Sequence, residues 1–314
     1  MEAAGLGAFM VSAATMTTVL EHPASPVRAS IGEPTVRRAL MGLAMGLTAA
    51  ALVYSPWGRR SGAHLNPAVT LTFFRLGKIS QRDAGAYVAA QFSGGIAGIT
   101  LAALLLRQWI ADPAVNFVAT MPGQPGTAIA FVAEAGISCL LMLVVLSASN
   151  HTPTARFTGA FAACLVATYI TVEAPLSGMS MNPARTFGPD LVGGMWRGLW
   201  IYFAAPPLGM LGAAELYVRV RGHAAIRCAK LHHDDGPCIF GCGGGIARGT
   251  ETWTHRGTEA LRIDTLRHSG AEISLPSDLG ASVPQCVERS VPRCVEPSVP
   301  HGDFRASPSH QLDL

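Results

Sequence analysis

The chain has 314 residues, 49% of them hydrophobic and only 14% charged, with a formal net charge of +3. This balance excludes a chain that is water-soluble throughout; the small net charge says little by itself, and no nucleic-acid partner is expected. Seven cysteines spread over this length do not make the dense pattern of a secreted disulfide framework.

Apolar runs of about 17–25 residues, the length that crosses about 30 Å of hydrocarbon, fall near residues 2–20, 37–54, 84–109, 128–148, 157–174 and 197–218. Any one of them fits a soluble helical bundle; six within 218 residues with few charges predict a membrane protein. The first run opens on Glu2-Ala3-Ala4 and reaches Met10, and the fourth holds Glu134-Ala135-Gly136 and Met142. Each therefore carries a carboxylate eight residues before a methionine. No cleavable signal peptide is expected, because Glu2 stands where a basic start belongs and no small-residue cleavage site follows.

Between the second and third runs lies Ser61-Gly62-Ala63-His64-Leu65-Asn66-Pro67-Ala68-Val69-Thr70, and between the fifth and sixth Ser177-Gly178-Met179-Ser180-Met181-Asn182-Pro183-Ala184-Arg185-Thr186. Proline suits the first turn of a helix, where its missing N–H is no loss, and asparagine is a preferred cap before it. Each segment thus predicts a helix start. The following stretches, Val69 to Leu76 and Thr186 to Val192, are too short to span and predict half-helices, tolerated at membrane depth only inside protein or beside a water-filled cavity. Three spans per half make the halves enter the bilayer in opposite directions. The repeat is inverted, and its two helix starts meet near the midplane. Gly42 and Gly46, Gly94 and Gly98, and Gly209 and Gly212 are expected at close helix contacts.

With the amino terminus inside, the cytoplasmic segments hold Arg59, Arg60, Arg75, Lys78, Arg82, Arg156, Arg219, Arg221, Arg227 and Lys230. The external ones hold Arg28, Arg37, Arg38, Arg107 and Arg197. The excess favours both termini on the cytoplasmic side of a plasma (inner) membrane, with Arg37 and Arg38 dissenting. The predicted organisation is a channel domain over 1–220, in halves of about 1–110 and 125–220, a Cys/His-rich segment over 221–243, and a disordered tail over 244–314. That tail is polar, and its sequence from Ser282 to Pro297 is a crude eight-residue repeat.

The doubled Asn-Pro-Ala with its trailing Arg185 resembles the two signature loops of the major intrinsic protein family, the aquaporins and glycerol channels, over roughly residues 2–218. The resemblance implies an all-α membrane fold, a bundle of six transmembrane helices plus two re-entrant half-helices, assembled as homotetramers in the lipid bilayer with one pore per subunit. It implies a passive pathway for water or a small neutral solute such as glycerol, excluding protons and ions, with no catalytic residues and no cofactor. Asn66 and Asn182 would donate their amides to the solute, while Pro67, Ala68, Pro183 and Ala184 would stack where the half-helices abut. Arg185 would line the outer constriction with Met45, Ile170 and Met179, where strict water channels usually place an aromatic residue and a histidine. Thr186 stands where glycerol channels usually carry an aspartate, whereas Tyr202 and Phe203 resemble the aromatic pair of water channels, so the solute stays open. Glu2 and Glu134 would brace the re-entrant loops, and His64 would brace loop backbone or line the vestibule. Glu173 is expected at the interface. Against the family pattern the chain begins directly at Glu2, so its first helix is expected to be short or its start misassigned.

Cys228, His232, His233, Cys238 and Cys242 crowd together after the last run. Four or five soft ligands at such spacing suit tetrahedral zinc, with Cys228, His232, Cys238 and Cys242 as the candidate set. Two other readings of the chain are a secondary active transporter, which also builds midplane sites from broken helices, and a metal-responsive membrane sensor.

Overall fold

The computed structural model describes residues 1–232 and 238–242. The α-helices among them are α1 (Glu2–Glu21), α2 (Pro26–Ser30), α3 (Pro34–Tyr54), α4 (Pro56–Ser61), α5 (Pro67–Arg75), α6 (Gln81–Leu106), α7 (Gln108–Ala111), α8 (Thr127–Ser149), α9 (Thr158–Val172), α10 (Ala174–Ser177), α11 (Pro183–Gly193) and α12 (Leu199–Arg221). Among the described residues six stretches are long and apolar enough to cross a membrane: α1, α3, α6, α8, Ala155–Val172 and α12. Their outward faces are apolar, with Leu47, Leu104, Leu105, Val132 and Val220 exposed, while Glu2, Gln91, Glu134 and Ser138 lie inside. A soluble protein would invert that arrangement; lipid rewards it.

The helix ends refine the predicted runs. The third run is cut at Leu106 because Arg107 takes φ 51°, ψ −128°, and Gln108 starts a separate turn. The sixth begins at Leu199, after Gly198 in the left-handed region at φ 82°. The half-helices start at Pro67 and Pro183, each capped by its asparagine. At 1.5 Å per residue, the nine residues of α5 reach about 14 Å, less than half of a bilayer core.

The two halves pack as equivalents. α1 lies on α6 as α8 lies on α12, and α3 meets α9 across the middle. A Cβ added to Gly94 would come within 2.2 Å of the Ala3 carbonyl oxygen, and one added to Gly209 within 2.2 Å of that of Ala135, so these backbones touch. Gly42 and Gly46 give α9 the same access: a Cβ would meet Ala167 O at 2.4 Å and Ala163 O at 2.7 Å. Gly212 departs from the expectation, since a Cβ there meets nothing within 4 Å; Gly209 alone carries that contact.

Each half-helix leans on the other half. α5 packs on α12, with Arg75 paired to Glu215 at 2.7 Å, and α11 packs on α6, where Gly188 sits against Gly95 backbone. Arg37, which dissented from the charge pattern, is buried and paired to Glu21 at 3.1 Å while its Nη1 donates to the carbonyls of Ile31 and Gly32. It ties the α1–α3 connection rather than presenting a free charge. Glu173 is also buried, where α10 follows directly on α9 and packs against α8.

Candidate functional site

Each half-helix is entered through the same short device. α4 ends at Ser61 and α10 at Ser177, and Gly62 (φ 92°) or Gly178 (φ 83°) then reverses the chain. Ala63, Leu65, Met179 and Met181 follow with φ between 49° and 56°. Non-glycine residues held there cost about 1–3 kcal/mol each, so their surroundings must fix them. Two carboxylates do so. Glu2 Oε1 accepts from Ser61 Oγ at 2.7 Å, and its Oε2 accepts from Leu65 N at 2.6 Å and Gln91 Nε2 at 2.8 Å. Glu134 Oε1 accepts from Ser177 Oγ at 2.8 Å and Ser180 N at 2.6 Å, and its Oε2 accepts from Met181 N at 2.8 Å.

The loops so held present two asparagines to each other. Asn66 Oδ1 caps α5 by accepting from Ala68 N at 2.8 Å; Asn182 Oδ1 caps α11 by accepting from Ala184 N at 3.0 Å and Arg185 N at 3.2 Å. Asn66 Nδ2 donates to Met181 O at 2.7 Å, and Asn182 Nδ2 donates to Leu65 O at 2.8 Å. A primary amide has two N–H donors. One of each pair crosses to the opposite loop, which leaves the second for the cavity that both side chains line. Pro67, Ala68, Pro183 and Ala184 are buried beside them at the two helix starts.

That cavity has a volume of about 350 Å³ and runs from Leu20, Glu21 and Arg38 at one end to Val53, His64 and Leu231 at the other. Met45, Ile170, Met179 and Arg185 all line it. Three of the four offer only apolar surface, and Arg185 brings the charge; its Nη1 is buried without a hydrogen-bond partner among the described residues. In the first half the motif places Val69 where Arg185 stands in the second. Two helix starts with their partial positive charge, two amides and a guanidinium therefore line one cavity and turn hydrogen-bond donors toward it.

His64 combines both roles considered for it. Its Nε2 donates to Ala229 O at 2.8 Å and its Nδ1 lies 3.0 Å from Thr70 Oγ1, while the ring edges the cavity. Tyr202 and Phe203 do not line it. Tyr202 is buried with its hydroxyl donating to Ser177 O at 2.5 Å, and Phe203 packs against Phe92 and Phe187. Sequence reasoning missed the counterpart of Tyr202: Tyr87 donates to Ser61 O at 2.6 Å. It also missed Gln91, which joins Glu2 to Thr70. The doubled Ser-Gly was the available signal, since each serine is gripped from two sides.

The Sγ atoms of Cys228, Cys238 and Cys242 lie within 4.8 Å of one another, and those of Cys228 and Cys238 are 3.5 Å apart. His232 is not in this group; its ring packs edge-on to Tyr54 at 5.0 Å. His233 and the predicted tail over 244–314 lie outside the described residues. Burial opposes ionisation of Cys238, but the Phe240 backbone and the Cys242 and Cys228 thiols outweigh it and hold its pKa below the usual thiol value. Burial pushes Cys228 up.

A sequence model of the family described as Major intrinsic protein matches residues 3–217. Among curated relatives, aquaporin NIP1-2 of Arabidopsis thaliana is 38% identical over 192 residues, 58% of this chain and 63% of the relative. Aquaporin NIP1-3 of Oryza sativa subsp. japonica is 35% identical over 178 residues, 56% of this chain and 60% of the relative. The chain thus spans less than two thirds of the length of these relatives. The X-ray structure of the aquaglyceroporin from Plasmodium falciparum has the same fold, with a TM-score of 0.57 at 18% identity, covering 71% of this chain and 96% of that one.

Proposed function

Since the chain belongs to the major intrinsic protein family, we propose that it is a passive transmembrane channel for water and small uncharged solutes that excludes protons and other ions. One observation carries this reading: two capped helix starts, each with an amide donor to spare, converge with Arg185 on a single cavity. A solute oxygen passing Asn66 and Asn182 accepts hydrogen bonds from both, and the positive helix ends raise the energy of any cation there. Met45, Ile170 and Met179 with Arg185 form the selectivity filter. Its mostly apolar wall suits uncharged solutes beyond water, glycerol among them. Glu2 and Glu134 hold the loops, and conduction has no chemical step and no cofactor. The outward apolar faces suit a homotetramer in a plasma (inner) membrane, with both termini cytoplasmic. The thiols of Cys228, Cys238 and Cys242 are a candidate site for a soft cation beside this pathway.

The test is light scattering by proteoliposomes after osmotic shock with an impermeant solute, glycerol or urea, with and without a proton gradient. A channel gives accelerated volume change independent of the gradient. Gradient-driven solute accumulation would overturn this in favour of a secondary active transporter.

A further inference from the structure

The chain after α12 does not leave the bundle. Ile226, Cys228, Ala229, Lys230 and Leu231 are all buried. Arg227 docks this segment on the α8–α9 connection, its N–H donating to Asn150 Oδ1 at 2.7 Å and its Nη1 to Thr152 Oγ1 at 2.9 Å. On the other side Leu231 N donates to Gly62 O at 3.1 Å, and His64 Nε2 holds the Ala229 carbonyl. The segment therefore bridges loops of both halves at the end of the cavity that Leu231 lines. Phe240 lies over the same place, stacked on His64 with ring centroids 5.8 Å apart and planes within 8°, and 6.1 Å from Tyr87. Gly62 is where this layer touches most closely: a Cβ there would meet Phe240 at 3.1 Å and Lys230 Cα at 3.3 Å.

Two pieces of chain, 226–232 and 238–242, make this cap, and the three cysteines join them. Zinc bonds to thiolate sulfur at about 2.3 Å with tetrahedral angles, which sets ligand sulfurs about 3.8 Å apart. The observed 3.5 Å between Cys228 and Cys238, with Cys242 within 4.8 Å of both, suits that requirement after small side-chain rotations. We propose that Cys228, Cys238 and Cys242 bind one thiophilic divalent cation such as Zn²⁺, and that the bound ion locks the cap over the mouth of the pore and lowers its permeability. The gating half of this inference rests on the channel reading; the ion site does not. Three thiolates leave one tetrahedral position for solvent or a further side chain.

The full-length protein, reduced and stripped with a chelator, is titrated with Co²⁺ and then Zn²⁺. The expected result is a thiolate-to-cobalt charge-transfer band saturating at one ion per chain and bleached by Zn²⁺. Cys228→Ser, Cys238→Ser and Cys242→Ser each weaken binding by more than about tenfold. No band, or a band unchanged in all three variants, overturns the site. Osmotic permeability is then compared in proteoliposomes with Zn²⁺ or chelator on both sides. If capped and uncapped states are evenly populated without metal and the ion prefers the cap tenfold, loading lowers permeability about fivefold. Phe240→Ala keeps the thiols, so it is expected to keep the cobalt band while blunting the zinc effect. A normal band with equal permeability in loaded and stripped protein overturns the gating. A normal band with no permeability in stripped protein, in Phe240→Ala and in all three serine variants counts against the channel reading instead, and leaves the ion site standing.

Discussion

The first and second halves of the bundle reach one geometry through sequences that agree mainly where the backbone turns. Their motif segments share Ser, Gly, Asn, Pro, Ala and Thr at six of ten positions, and those residues make the turn, the cap and the helix start. Glu2 and Glu134 grip their loops alike, Tyr87 and Tyr202 grip the same two serines, and Gly94 and Gly209 meet Ala3 and Ala135 at equal distance. Where the halves differ, the difference is chemical rather than geometric. His64 in the first segment corresponds to Ser180 in the second, and Val69 to Arg185. Symmetry builds the paired loops, and its violation gives the two ends of the cavity different characters.

The largest expected effect sets one half against the other. Glu134 holds two backbone N–H groups, whereas Glu2 holds one and two side-chain donors that can turn elsewhere. An unsatisfied buried donor costs about 1–3 kcal/mol, so Glu134→Ala is predicted to lose about 2–6 kcal/mol and Glu2→Ala about 1–3. Thermal unfolding in detergent reads the difference; equal losses would break the distinction. Next come the asparagines, where symmetry should hold. Asn66→Ala and Asn182→Ala each lose a cap, about 1 kcal/mol, and a cross-loop hydrogen bond, about 1 kcal/mol. Equal destabilisation is predicted, and a gap above about 1 kcal/mol would show that one loop leans on the other more than it supports it.

Arg185→Val gives the second half the residue of the first. Proton and cation leak through proteoliposomes is predicted to rise about tenfold, about 1.4 kcal/mol of barrier, with water flux changed far less. Unchanged leak would move the charge barrier entirely to the helix ends. The smallest effect belongs to Gly212→Ala, predicted neutral or stabilising by up to about 1 kcal/mol through helix propensity. Gly209→Ala should cost about 1–3 kcal/mol by forcing α8 and α12 apart, and melting curves of the two variants test the pair.

The spans and the half-helix starts were legible because each depends on local pattern, apolar length and Asn-Pro; a carboxylate in an apolar run marked Glu2 and Glu134, but their bracing role came only from the family resemblance. The end of α6 was not, since a left-handed Arg107 leaves no compositional trace. Gly212 was read by spacing alone, and spacing cannot say which glycine faces a partner. Tyr202 was noted only as one of an aromatic pair, and its contact could not be foreseen, because its hydroxyl reaches a carbonyl 25 positions upstream in a loop. The cap was hidden most deeply. Residues 226–232 contain no long apolar run, and their main anchor joins His64 to a carbonyl 165 positions away.

The exchange of hydrogen bonds between Asn66 and Asn182 also has a meaning in time. Asn66 donates to a carbonyl 115 positions later in the chain, and α5 rests on α12, the last span to be made. At about 5–20 residues per second, the first loop waits roughly 6–23 s for residue 181 alone. Through that interval the Asn66 Nδ2 donor and the flank of α5 that meets α12 have no native partner. The nascent first half must therefore be sheltered, by the insertion machinery or by its own provisional contacts, until the ribosome delivers the second.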